Sequence, residues 1–220
     1  MPNKMLSALR IGARLLSHPS EGGRWLQHRH ASCLRLGLPW ISFGAIDALA
    51  QSVHRDMTAF EFGSGGSTIF LAERCRSLTS VEHDPRWAEA TSAELASRRL
   101  ENVTLVQAPV PPFRYERISG RWTAVCDPDE FARSDYLGAF DGRYDIVFID
   151  GVDDFGLAQT WRSMCFRRVE PTMRGGGIIV LDDAWAYGDI LSDNHAIRTR
   201  EFKGFGPART GVTSTALFRY

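Results

Sequence analysis

Four cysteines occur in the chain, and no two of them form a C-x-x-C pair: Cys33, Cys75, Cys126 and Cys165 are scattered. Neither a zinc site nor a disulfide framework is indicated, and a reducing cytoplasm is the simplest home. An excess of one charge is also missing. The 26 Lys and Arg balance 26 Asp and Glu, which gives no reason to expect bulk nucleic-acid binding. No apolar run approaches the ~20 residues that span a bilayer, and no secretory hydrophobic region is present. No internal repeat or low-complexity linker divides the chain. Its 220 residues, 44% hydrophobic and 24% charged, suit one globular domain with a substantial core.

What is present is concentrated between Thr58 and Pro85. A short apolar run (Ala59, Phe60, Phe62) breaks at Gly63-Ser64-Gly65-Gly66, continues into a helix-like segment, and reaches a second β-rich run, Leu78 to Val81, that ends on Glu82. Glycine suits such a turn because the chain reverses tightly and a ligand must approach the backbone. The helix after it aims unpaired N–H groups over the turn. Glu82, 19 positions after Gly63, falls where a carboxylate can accept from two ribose hydroxyls. A nucleoside-containing ligand follows. The dinucleotide fingerprint wants a third glycine where this chain has Thr68, and Glu61 would repel a pyrophosphate but welcome an ammonium or sulfonium. A nicotinamide-dependent oxidoreductase is therefore the disfavoured alternative. A non-catalytic cofactor-binding domain is another.

The pattern Glu61-x-Gly63-x-Gly65 with Glu82 resembles motifs I and II of class I S-adenosylmethionine-dependent methyltransferases. The resemblance covers about Trp40 to Tyr220 and is strongest at FEFGSGGST, SVEHDP, YDIVFIDG and GGGIIVLDDAW. It implies a doubly wound α/β fold with a mostly parallel seven-stranded sheet. It assigns cofactor contacts to Glu61, Gly63, Ser64, Gly65, Ser67, Thr68, Glu82, His83, Gln107, Ala108 and Asp150. Gln107 departs from the pattern, since many relatives carry an acid there.

The rest of the chain fits that frame. Residues 1–40 form a basic extension: six Lys or Arg stand before Leu36 against the single acid Glu21. Leu6, Leu9, Ala13 and Leu16 recur at helical spacing, so Asn3 to Ser17 reads as an amphipathic helix. It could cap the domain, attract an anionic substrate or membrane, or serve as a presequence. Phe43 to His54 reads as a helix. Trp40 to Ser42 either closes over the methionine end of the cofactor or belongs to the core. In the domain spanning 41–220, Asp84-Pro85 starts a helix, and Trp87, Thr91 and Leu95 line one of its faces. Val103 to Val106 is the next strand. The insert 109–143 is too long for a plain connection. Residues 113–125 alternate as a β-hairpin, and Asp127 to Phe140 reads as a capped helix with Phe131, Tyr136 and Phe140 as anchors. This insert is either a substrate lid or an edge extension. Tyr144 to Ile149 is a buried central strand, followed by a helix from Phe155 to Val169. Ile178 to Leu181 is a fifth strand, Asp189 to Thr199 a candidate helix, and Thr213 to Tyr220 a final, antiparallel strand.

Asp150 and the pair Asp182-Asp183 fall at strand ends that should converge with the glycine turn. Carboxylates brought together without basic partners repel and demand a cation, and all-oxygen donors suit Mg²⁺. Ile149-Asp150-Gly151 with Leu181-Asp182-Asp183 resembles the metal-dependent O-methyltransferases of the catechol and sugar types. That resemblance assigns Asp150, Asp182 and Asp183 as metal ligands and Asp153 as general base. Two departures exist: Asp153 stands three rather than two residues after Asp150, and the catechol pattern has Asn at 183. Otherwise Asp150 serves the cofactor's amino group. His195 is a further titratable candidate for proton removal, or simply a surface histidine. The expected reaction is in-line O-methylation of a small-molecule or sugar hydroxyl. The acceptor and the oligomeric state are not legible.

Overall fold

The computed structural model describes residues 4–118, 121–125, 127–151 and 161–220. Four helices come first: α1 (Lys4–Ser17), α2 (Pro19–His28), α3 (Cys33–Leu36) and α4 (Phe43–Ala50). Then β1 (Thr58–Phe62), α5 (Gly66–Ala72), β2 (Ser77–Glu82), α6 (Pro85–Ser97) and β3 (Val103–Gln107) build the first half of the sheet. The insert holds β4 (Arg114–Ile118), β5 (Arg121–Val125), α7 (Pro128–Ala132) and α8 (Asp135–Gly138). The second half consists of β6 (Ile146–Ile149), α9 (Trp161–Val169), β7 (Ile178–Asp182), α10 (Gly188–Ser192), β8 (Arg198–Phe205) and β9 (Val212–Arg219).

The main sheet has seven strands in the order β3-β2-β1-β6-β7-β9-β8. Pairings from β3 through β7 are parallel, and β9 runs antiparallel to both its neighbours. Period-2 alternation decides what each face buries. Phe60, Phe62, Val147, Ile149, Ile179 and Leu181 share one cluster with Trp161 and Phe166 of α9. Ala59, Ile146, Phe148, Ile178 and Val180 face the other way, onto α4 and α5 through Ile46, Leu49, Phe70 and Leu71. Strands buried on both faces must be covered by helices on both, and this is the doubly wound architecture.

Three segments depart from the sequence reading. The helix expected over Asp189 to Thr199 stops at Ser192, and β8 follows it. The charges of Arg198, Arg200, Glu201 and Lys203 hide that strand, yet charge is what blunts an exposed sheet edge. The 127–140 helix is two short helices, capped by Asp127 and Ser134, whose side chains accept from the N–H groups of Asp129 and Leu137. Phe131, Tyr136 and Phe140 are buried, with Phe131 stacked on Trp161 at 5.0 Å. This half of the insert packs its aromatic side chains into the core against α9. Its other half is the expected hairpin, with Arg114 opposite Val125 and Ile118 opposite Arg121.

α2 was not foreseen, because Gly22-Gly23 depresses helix propensity; Gly22 is instead used to let α1 and α2 approach, its missing Cβ space lying 2.6 Å from Leu15. Trp25 of α2 is buried, stacks on Phe205 at 4.8 Å and donates through its indole N–H to the carbonyl of Arg209 at 2.7 Å. Glu21 accepts from the backbone N–H of Phe205 and from Arg14. The first helices thus pack as part of the core. Trp25→Ala should lower stability by about 3 kcal/mol, as for other buried aromatics. Urea unfolding checks this; a loss below about 1 kcal/mol would mean the fold does not depend on α2.

Candidate active site

The glycine turn is fixed by contacts that leave no room for side chains. Gly63 has φ +90°, and a Cβ there would lie 1.9 Å from the carbonyl oxygen of Asp150. A Cβ on Gly66 would lie 2.0 Å from the carbonyl of Leu38, so α5 can start only where the chain after α3 passes against it.

Thr68 takes the place of the third glycine and closes the turn with its hydroxyl. It accepts from the N–H of Gly65 at 2.8 Å and donates to Glu61 Oε2 at 2.6 Å. Ser80 donates to the same oxygen at 2.9 Å. Glu61 is fully buried behind the turn and lines no part of the crevice. Where a contact with a cofactor ammonium was expected, the structure shows Glu61 bonded to the hydroxyls of Thr68 and Ser80. Burial outweighs the hydrogen bonds from Ser67, Thr68 and Ser80 and pushes its carboxyl up to about 8.

Above the turn opens a crevice of about 580 Å³, lined by Ser64, Gly65, Ser67, Glu82, His83 and Asp150, with Trp40, Trp87 and Phe113 around its mouth. The Glu82 carboxylate accepts from Ser64 N–H (2.8 Å) and Oγ–H (3.0 Å), and from the N–H groups of His83 (2.8 Å) and Asp84 (2.9 Å). Burial pushes this carboxyl up, but the His83 ring at 3.0 Å, followed by the Asp84 and Ser64 N–H groups, outweighs it and holds the carboxyl below its ordinary value. Gln107 and Ala108 lie outside the lining: Gln107 is exposed, and Ala108 is buried and donates to the carbonyl of Glu82 at 3.0 Å. On this side His83, among the expected cofactor contacts, lines the crevice, and so does Phe113, read from the sequence only as part of the hairpin. Trp87, on the helix face it shares with Thr91 and Leu95, stands 44% exposed at the crevice and donates to the Ser64 carbonyl. Trp40 is half exposed there too, which favours the closing role over the core role.

The acids do converge at the carboxyl ends of β6 and β7, but two guanidinium groups come with them. Arg162 donates to Asp150 Oδ1 at 2.9 Å and to the Asp182 carbonyl at 3.1 Å. Arg209 donates to Asp182 Oδ2 and, at 3.2 Å, to Asp183 Oδ1. Thr213 and Trp185 also donate to Asp183 Oδ1, and Thr215 to Asp182 Oδ1. Burial drives Asp182 well above the usual carboxylate range, with Asp150 adding to it. Burial also raises Asp150, against Arg162 and Arg209, whereas those two arginines outweigh burial at Asp183 and lower it. The premise of unpaired, mutually repelling carboxylates fails. A donor set already engaged by arginine does not fit Mg²⁺, and no cluster of His, Cys, Asp and Glu suited to a metal exists among the described residues. Arg162 was missed, although a signal existed: it shares a helical face with Phe166 and Val169, where a charge needs a partner. Arg209 sits in a loop without periodicity and carried no signal.

His195 is away from this site. Arg198 lies opposite Arg219, which lies opposite Ile178, the first residue of β7. His195 therefore stands near the amino end of the sheet, exposed, with its N–H donated to Glu170 at 2.7 Å. It is a surface histidine. Asp153 lies outside the described residues.

A family model described as a methyltransferase domain matches residues 60–184, more than half of the chain. No curated protein matches it. Among solved structures, similarity extends to a precorrin 8w decarboxylase from Methanobacterium thermoautotrophicum, with TM-score 0.53, 17% identity, and coverage of 80% of this chain and 88% of that one. A protein from Klebsiella pneumoniae described as an O-methyltransferase gives TM-score 0.54 at 16% identity, with 80% and 76% covered. One from Streptococcus mutans, described as a methyltransferase and solved with S-adenosylhomocysteine, gives 0.52 at 10% identity, with 79% and 94% covered. At these identities the structures establish the fold. The chain belongs to the class I S-adenosylmethionine-dependent methyltransferases. This displaces the oxidoreductase and non-catalytic alternatives.

Glu61 yields a pH prediction. Its carboxyl holds a proton to about pH 8 in the fold but only to about 4.5 when free. Between these values the native state binds the extra proton, so stability is fully present below the lower one and is lost as pH rises through the upper. The Tm should fall from about pH 5 to about pH 8, and Glu61→Gln should flatten that slope. Identical slopes in both proteins would remove Glu61 as its source.

Proposed function

We propose that the enzyme methylates a hydroxyl of a small-molecule or glycan-like acceptor, without a metal. The carrying observation is a second cavity of about 790 Å³ behind the acid–arginine cluster, lined by Asp183, Arg209, Trp185 and Val212 and walled by Ile11 and Arg14 of α1. Its volume suits a small ligand, and Trp185 and Val212 are both partly exposed in it. Arg209 lies between the two cavities: it donates to the Trp40 carbonyl and packs on the Trp40 ring at 4.8 Å, on the cofactor side. An acceptor in the second cavity would meet the cofactor across this residue.

In this reading Ser64, Gly65, Ser67, Glu82, His83 and Asp150 hold the cofactor, with Glu82 toward the ribose and Asp150 toward the amino group. The sulfonium is already an activated electrophile, so alignment supplies much of the rate, worth about 7–11 kcal/mol in well-oriented systems. The acceptor hydroxyl must still lose its proton, and that role is kept at Asp153. Asp183, ionised and facing the second cavity, orients the hydroxyl. The neighbours also include an rRNA methylase from Streptococcus thermophilus and Trm5b from Pyrococcus abyssi; the balanced net charge of this chain favours a small acceptor over either kind of substrate.

Release of S-adenosylhomocysteine over a panel of phenols, sugars and other alcohols is the assay. Full turnover is expected after EDTA treatment, with Asp153→Asn lowering kcat by about 10²–10⁴-fold and leaving S-adenosylhomocysteine affinity unchanged. Loss of turnover in EDTA with recovery in Mg²⁺ would overturn the metal-free assignment. Turnover of RNA alone would overturn the acceptor class.

A further inference from the structure

A third depression, of about 290 Å³, lies at the opposite end of the sheet and is lined by Ala48, Arg198, Arg200, Phe202, Leu217 and Arg219. Alternation puts Arg198, Arg200 and Phe202 on one face of β8. Their partners Arg219, Leu217 and Thr215 on β9 share that face. It is the face that packs on α4, since Phe202 approaches the space a Cβ on Gly44 would need to 3.2 Å and Leu217 is buried in the same cluster.

Arg198 and Arg219 are directly opposed across the strand pair. Like charges in that position destabilise a sheet, and Arg200 adds a third cation two residues along. Among the described residues no acid lines the depression. Among the described residues these three arginines form no ion pair, although nearby cations do: Arg24 holds Asp47, the one acid of α4, and Lys203 holds Glu201 on the other face of β8. Arg219 donates to the Ser52 hydroxyl, and Arg200 lies over the Phe202 ring at 4.4 Å. Edge protection alone would be served by charges of either sign spread along β8. It does not require three of one sign converging across two strands around an apolar floor.

From this juxtaposition we infer that the depression is an anion site for a phosphate monoester, with the phosphate held by the guanidinium forks of Arg198, Arg200 and Arg219 and a small apolar portion resting on Phe202 and Leu217. Guanidinium forks match phosphate oxygens bidentately, and the volume limits the occupant to a phosphate with a small substituent. The site is separate from the methyl-transfer centre: Arg198 and Arg219 sit at the level of Ile178, whereas Asp182 ends the same strand at the crevice. Its occupant is therefore an effector rather than the methyl acceptor.

The test is a thermal-shift and calorimetric titration of the full chain with inorganic phosphate and with phenyl phosphate, at constant ionic strength set by chloride. Saturable stabilisation is expected, with affinity falling at least tenfold in Arg198→Gln/Arg200→Gln. S-adenosylhomocysteine affinity should stay unchanged, which confirms that the variant is folded. In the absence of phosphate the double variant should melt roughly 1–3 °C higher at low salt, because the like-charge opposition is relieved. Phosphate binding that equals the chloride effect, or that survives in the double variant, would overturn the inference. So would an RNA oligomer or anionic vesicles binding through these arginines where phosphate does not.

Discussion

Three carboxylates and two guanidinium groups are locked together where β6 and β7 end, and both large cavities take their shape from that lock. Asp182 is fully buried, a position a polar group tolerates only when hydrogen-bonded. Arg209 and Thr215 meet that need. Arg209 carries the constraint outward, because the same guanidinium donates to the Trp40 carbonyl at the rim of the cofactor crevice. Arg162 carries it inward, tying Asp150 to the backbone at the last residue of β7. Removing one partner of such a buried pair typically costs about 3–5 kcal/mol. The cluster therefore fixes geometry before it does any chemistry.

A second buried carboxylate shapes the glycine turn by a different route. Glu61 takes hydroxyl donors rather than cations, and burial then favours its protonated form. The chain Gly65 N–H to Thr68 to Glu61 sets the turn from below, while Ser64 is drawn to Glu82 from above. Thr68 thus does through a hydrogen bond what a third glycine does through closeness of packing in dinucleotide-binding turns. The two acids of the motif divide the work: Glu61 holds the loop, and Glu82 alone borders the ligand space.

The succession of the parallel strands and their helices, the glycine turn and the convergence of Glu82, Asp150 and Asp182 were all legible, because each rests on a local pattern: apolar runs, glycines at a turn, acids at strand ends. The cations that neutralise those acids were not, since Arg209 lies 27 residues from Asp182 in sequence and reaches it only through tertiary packing. The face shared by Trp87, Thr91 and Leu95 was legible from helical spacing, but not that its first residue borders the crevice while Thr91 and Leu95 are buried. β8 was missed because its polar residues satisfy solvent at an edge, where alternation fades. Periodicity reports burial, and the functional rim of this enzyme is where burial is incomplete.

Backbone strain at the cluster points the same way. Asp183 and Ala208 have φ +51° and +55°, the left-handed region that non-glycine residues enter at a cost of about 1–2 kcal/mol. They stand at the two ends of one contact: Asp183 follows the last residue of β7, and Ala208 immediately precedes Arg209. Arg209 bridges the two strained positions, while Arg162 stands 4.0 Å from Asp182 and 3.9 Å from Asp183 on the other side. The ion pairs outweigh the strain, so the sharp turn at Asp183 and the bend at Ala208 persist together. The price of that arrangement is local, and its result is an arginine held between the cofactor crevice and the cavity assigned to the acceptor.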